Sequence, residues 1–160
     1  MKFRYLMGVM LCAVQSFSYA AEITGTWKAI DDKTGYACAD VEISKLNNGT
    51  YQGKVIRIHA IPNRPAHTHC SKCKGALKDV PILGLSVLSG LKPNPEKKNE
   101  FVNGSILDPL TGNVYKSKAT LNSRGNVLTL RGYVGTPMLG RTVSWVCLLY
   151  TSPSPRDKRQ

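Results

Sequence analysis

Acidic residues are scarce in this chain: 10 Asp and Glu stand against 22 Lys and Arg in 160 residues, a formal charge of +12. Lys2 and Arg4 near the start, and Arg156, Lys158 and Arg159 with Asp157 near the end, account for part of it. Residues 21–146 keep 17 cations and 9 anions, or +8. Such a surplus favours an anionic lipid surface, a polyanion or an acidic ligand. The cations form no run, however. Lys28, Lys54, Lys74, Lys98, Lys118 and Arg141 are spread out with no aromatics interleaved, so a solvated basic surface is expected and nucleic-acid binding is not. There is no P-loop and no dinucleotide fingerprint. Ser86, Ser89, Ser105 and Ser117 lack the GxSxG elbow of a serine nucleophile. His59, His67 and His69 have no evident nucleophile partner, and Asp108 opens an Asp-Pro turn where its carboxylate caps backbone N–H groups. Neither an enzyme nor a cofactor is expected.

Long apolar runs are missing after the first twenty residues, and a bilayer span needs about 20. The start itself has Lys2 and Arg4, an apolar Tyr5–Ser18 stretch and small residues at Ser18 and Ala20. That is the layout of a secretory signal cleaved after Ala20, and it implies a periplasmic or secreted protein. Leu11 before Cys12 is too large for a lipoprotein signal. Residues 147–160, CLLYTSPSPRDKRQ, lose the alternation, gain two prolines and end in charge, so a disordered or non-native tail is expected there. The domain is residues 21–146.

Helical periodicity is absent from Gly104 to Trp145 as well. What this stretch has is alternation in twos, broken by Pro109–Gly112, Asn122–Gly125 and Gly135–Pro137. Val127–Tyr133 is β-branched, aromatic and aliphatic, as strands prefer. Short strands with tight turns predict an antiparallel meander. Upstream, Glu22–Ile30, Tyr36–Ser44 and Tyr51–Ala60 read as three strands. Ile61–Pro81 reads as a long loop, and Ile82–Leu91 as a buried strand. Eight consecutive antiparallel strands predict an all-β, up-and-down barrel, because closure removes the unpaired edges of an open sheet. Eight strands leave room for side chains or one small ligand.

Taken in order, GTW at Gly25–Trp27, DDKTG, CSKC at Cys70–Cys73, LGLSVLSGL, GSILDPLTGNVYK, LRGYVG and LGRTVSW resemble domain of unknown function 2147. That is a family of small exported bacterial proteins with a lipocalin-like barrel. The resemblance spans Ile23 to Trp145 and implies the fold, with no established activity. Gly25-x-Trp27 also resembles the lipocalin opening motif. That likeness implies an indole closing one end of the barrel beneath an arginine, here Arg131 or Arg141, as a structural plug.

His67-Thr-His69-Cys70-Ser-Lys-Cys73 is the densest chemical cluster. In an exported protein, Cys70 and Cys73 read as a disulfide stiffening the long loop. Zinc or copper(I) held with His67 or His69 is an alternative, and a thioredoxin-type pair a third, although no βαβ pattern surrounds it. The resemblance includes the cysteines and not the histidines, which favours the disulfide. Cys38 is left alone unless it meets Cys147.

The expected function is to bind a small apolar or amphipathic ligand inside the barrel. The inward candidates are Val41, Ile43, Val55, Leu85, Val87, Ile106, Tyr115, Leu128, Leu130 and Tyr133. A basic rim of Lys54, Arg57, Lys116 and Arg131 would take an anionic head group. The competing expectation is a filled barrel acting through its surface in the cell envelope.

Overall fold

The computed structural model describes residues 21–148. Eight strands follow one another: β1 Gly25–Ile30, β2 Ala37–Lys45, β3 Tyr51–Ile58, β4 Ser86–Pro93, β5 Glu100–Asp108, β6 Asn113–Leu121, β7 Val127–Tyr133 and β8 Gly140–Cys147. Each pairs antiparallel with the next, and β8 returns to β1, so the sheet is a closed barrel. The residues predicted as the signal peptide, 1–20, lie outside the described residues, as do residues 149–160 of the predicted tail.

Two boundaries differ from the sequence reading. The closing ladder pairs Trp27 with Cys147, Lys28 with Val146 and Ala29 with Trp145. Cys147, expected in the tail, is therefore buried in the last strand. The fourth strand begins at Ser86 rather than Ile82. Gly84 lies in the left-handed region at φ 87° and bends the chain before the strand starts. The bend is stitched to β3 by Gly84 N–H on Val55 O at 2.7 Å and Val55 N–H on Leu85 O at 3.0 Å.

Alternation along the strands fills one end of the barrel. Trp27, Ile43, Tyr51, Leu88, Leu91, Phe101, Ala119, Leu128 and Leu130 are buried there. The Tyr51 and Phe101 rings meet edge to face, 5.5 Å between centroids. Gly104 makes this packing possible: a Cβ on it would lie 2.7 Å from Leu91 Cγ and 2.8 Å from Ser117 Oγ. The Trp27 indole donates its N–H to Ile23 O at 2.9 Å, which satisfies its single donor in the core.

Among the described residues, neither Arg131 nor Arg141 covers that indole. Arg131 alternates outward from Leu130 and Gly132, and its guanidinium reaches Thr142 Oγ1 at 2.8 Å and the carbonyls of Pro137 and Met138. Arg141 sits six residues up β8 from the partner of Trp27, about 20 Å at strand rise, and bonds Asp32. The expected arginine plug is therefore replaced by hydrocarbon packing and one backbone hydrogen bond.

The long β3–β4 connection is ordered by a staple. Cys70 and Cys73 form a disulfide, both buried. Cys70 N–H donates to Val80 O at 2.9 Å and Ile82 N–H to Thr68 O at 2.8 Å, folding the loop on itself. The disulfide takes up both thiolates that the metal alternative required. His69 Nδ1 lies 3.0 Å from Thr68 Oγ1. Among the described residues no group of three His, Cys, Asp or Glu is placed to hold a metal. Cys38 and Cys147 are free thiols and form no bridge.

Candidate functional site

The other end of the barrel is hollow. Here the inward positions are small: Ala29 of β1 pairs with Ala39 of β2, and β7 contributes Gly132. With Val41, Val55, Val87 and Val143 around them, these side chains do not meet across the centre. They enclose a mostly apolar cavity of about 400 Å³, open at the end of the β1–β2, β3–β4, β5–β6 and β7–β8 connections. That is within the size range of small-molecule sites.

The expected interior residues divide between the two ends. Val41, Val55, Val87, Ile106, Tyr115 and Tyr133 line the cavity. Ile43, Leu128 and Leu130 instead belong to the packed end, and Leu85 is buried in the bend before β4. On β2, period two gives Val41 and Ile43 the same inward face, and only their height along the barrel separates the wall of a hole from its filled base. Tyr133 shares the parity of Arg131 and borders the cavity from the end of β7.

The expected basic rim is corrected more fully. The Arg57 side chain is 71 % exposed and stands outside the barrel, its Nε 3.8 Å from Asp40 Oδ2. Lys54, Lys116 and Arg131 do not line the cavity, because they alternate with inward residues. The charged groups at the mouth are Arg64 and Arg141, with Asp31, Asp32 and Asp108. Arg64 donates from Nη1 to Asp31 Oδ2 at 3.1 Å, and Arg141 donates from Nε to Asp32 Oδ2 at 2.7 Å. The first pair links the β1–β2 turn to the β3–β4 connection, and the second links it to the start of β8. Burial works to raise the Asp31 pKa, but hydrogen bonds from Thr34 and from Arg64 outweigh it and leave the carboxyl below its ordinary value. The Arg141 hydrogen bond lowers that of Asp32.

Beside the mouth is a cleft of about 320 Å³ that shares Asp31, Arg64, His67, Asp108 and Arg141 with the cavity and adds Lys33, His69 and Lys72. Arg64 spends one of its five guanidinium donors on Asp31, and the Asp108 carboxylate accepts from Leu110 N–H and the Thr111 hydroxyl at 2.9 Å each. An apolar hole thus opens beside a cleft rich in cationic side chains.

One cluster was not found from the sequence. Cys38 and His59 line the cavity wall, and His59 Nε2 is 2.7 Å from the buried Asp40 Oδ1. A Cys, His and Asp in one place invite comparison with a nucleophilic triad. The geometry argues for a structural wall. The Cys38 thiol lies 3.4 Å from Ala29 O as donor, and burial, reinforced by Asp31, pushes its pKa up, away from the thiolate form. Cys38 and Asp40 are two apart on β2, and His59 follows the end of β3, held there by its N–H on Cys38 O at 2.9 Å. The grouping appears only once the β2–β3 pairing is known.

An eight-stranded up-and-down barrel, packed at one end and hollow at the other, is of the lipocalin-like class. In agreement, the chain is similar in structure to the Helicobacter pylori protein HP1028, described as belonging to the lipocalin family, with a TM-score of 0.65 and 20 % identity over 86 % of each chain. At that identity the likeness concerns the fold. The chain belongs to the bacterial family described as "Uncharacterized protein conserved in bacteria (DUF2147)", which matches residues 25–146. No curated protein matches it.

Proposed function

We propose that this protein is an exported, non-enzymatic carrier of an amphipathic small molecule, with the apolar part in the barrel and an anionic carboxylate or phosphate head in the cleft beside Arg64. The observation that carries this reading is the apolar cavity of about 400 Å³, opening next to a cleft lined by Arg64, Lys72, Lys33 and Arg141. Transfer of alkyl groups into such a hole contributes about 0.8 kcal/mol per methylene. A head group gains charge-assisted hydrogen bonds from donors that Arg64 leaves unused. The raised Cys38 thiol and the structural use of Asp108 support a binding role over a catalytic one.

The test is a titration with a medium-chain carboxylate and the alcohol of the same length, by calorimetry or displacement of a fluorescent probe. Ala39→Phe places a ring in the hollow half and should weaken both ligands at least tenfold. Arg64→Gln should weaken the carboxylate several-fold and leave the alcohol unchanged. Unaltered affinity in Ala39→Phe, with the fold intact by circular dichroism, would put the ligand elsewhere.

A further inference from the structure

The mouth of the barrel carries apolar side chains that face water. On the β7–β8 connection, Met138 is 88 % exposed, Leu139 82 % and Val134 68 %, and Leu110 on the β5–β6 turn is also exposed. Val134, Leu139 and Leu110 border the cavity opening. Apolar residues on a loose loop fold back onto the nearest apolar surface. These are held out from it. The loop makes one 3₁₀ turn, Pro137–Leu139, and the Arg131 guanidinium bonds the carbonyls of Pro137 and Met138 as well as Thr142 Oγ1. An exposed, rigid apolar tip is a costly arrangement in water and marks an interaction site.

The charge around the tip selects the partner. The β3–β4 connection, at the same end, carries Arg64, Lys72, Lys74 and Lys78 against one acid, Asp79, and the three lysines are exposed. Lys72 sits against Gly112 of the β5–β6 turn, beside the mouth. We infer that this end docks on an anionic lipid bilayer, with Val134, Met138 and Leu139 entering the headgroup–acyl boundary and the lysines lying over the phosphates. A fluid interface accepts a protruding tip without a matching pocket. Juxtaposed lysines each strengthen binding to an anionic surface by about fivefold. The cavity then opens toward the bilayer. The inference stands on the surface alone and does not depend on what the cavity holds.

The experiment is sedimentation of the full chain with phosphatidylglycerol–phosphatidylcholine vesicles and with phosphatidylcholine vesicles at low salt. Binding should be at least tenfold tighter to the anionic vesicles. Met138→Asp with Leu139→Asp should lose at least tenfold, as should Lys72→Gln with Lys74→Gln and Lys78→Gln. Leu46→Asp, an exposed leucine on the β2–β3 turn at the packed end, should bind as the parent does. Because charged variants can disturb a loop, Leu139→Trp gives a second reading: its emission should shift to shorter wavelength on anionic vesicles. Undiminished binding by the Met138 and Leu139 variant overturns the inference, even if the Ala39→Phe result upholds ligand binding. So does a Leu139→Trp shift that needs no vesicles and grows with protein concentration, which would mean a second copy covers the tip.

Discussion

Replacing Gly112 with alanine should detach the disulfide loop from the barrel, and Gly125 provides the control. Both glycines are in tight turns with nearly the same left-handed backbone, φ 73° and 71°. An L-residue in that region costs about 1–2 kcal/mol, and both variants should show this cost. They differ in space. A Cβ at Gly125 meets nothing within 4 Å, whereas at Gly112 it would lie 2.1 Å from Lys72 O, 2.4 Å from Lys72 C and 2.7 Å from Cys73 N. These are backbone atoms beside a disulfide and cannot move individually. The turn and the loop must separate, exposing part of Cys70, Cys73, Ile82 and Leu107, all buried in the native state. Exposing one to two aliphatic side chains costs a further ~2–4 kcal/mol. Urea unfolding should therefore give a loss of about 1–2 kcal/mol for Gly125→Ala and about 3–6 kcal/mol for Gly112→Ala. Hydrogen exchange should locate the difference at the Cys70, Asp79 and Ile82 amides, which hold the loop together. Ligand affinity should fall as well, since Ile61, Arg64 and Ile82 of this loop line the cavity. Equal losses in the two variants, within about 0.5 kcal/mol, would show that the turn and the loop are not docked.

Three further perturbations probe the core, the staple and the mouth. Ser117 Oγ is fully buried and has no hydrogen-bond partner among the described residues, so Ser117→Ala should stabilise by about 1 kcal/mol in thermal unfolding; a loss of that size would mean the hydroxyl is satisfied. Removing the staple by Cys70→Ala with Cys73→Ala releases a loop of sequence separation 3 and should cost about 2 kcal/mol by chain entropy, whereas no effect in calorimetry would count against a structural role. Asp32 is held below its ordinary value of 3.8 by Arg141. The carboxylate's contribution is therefore complete above pH 3.8 and is lost as pH falls through the depressed value. The pair is partly exposed, so Asp32→Asn should cost less than about 1 kcal/mol at neutral pH, and the cost should shrink as the carboxyl is protonated in acid; a cost that does not fall with pH would refute the assignment.

The up-and-down barrel, its eight strands and most of their inward faces were legible in the sequence, because period-two alternation and Asn, Asp and Gly turns are local properties of the chain. The CxxC spacing likewise pointed to a staple, which the tertiary structure shows as a disulfide. Register and height along the barrel were not legible, and they decide the site. Ala29, Ala39 and Gly132 leave a hole because pairing brings them to one end, while Ile43, Leu128 and Leu130 fill the other. Arg131 and Arg141 each looked suitable to cover Trp27. Strand alternation turned the first outward, and distance along β8 set the second at the mouth with Asp32. A residue's face follows from its neighbours in sequence; what it faces across the barrel depends on contacts between strands far apart in the chain, and only the closed fold fixes those.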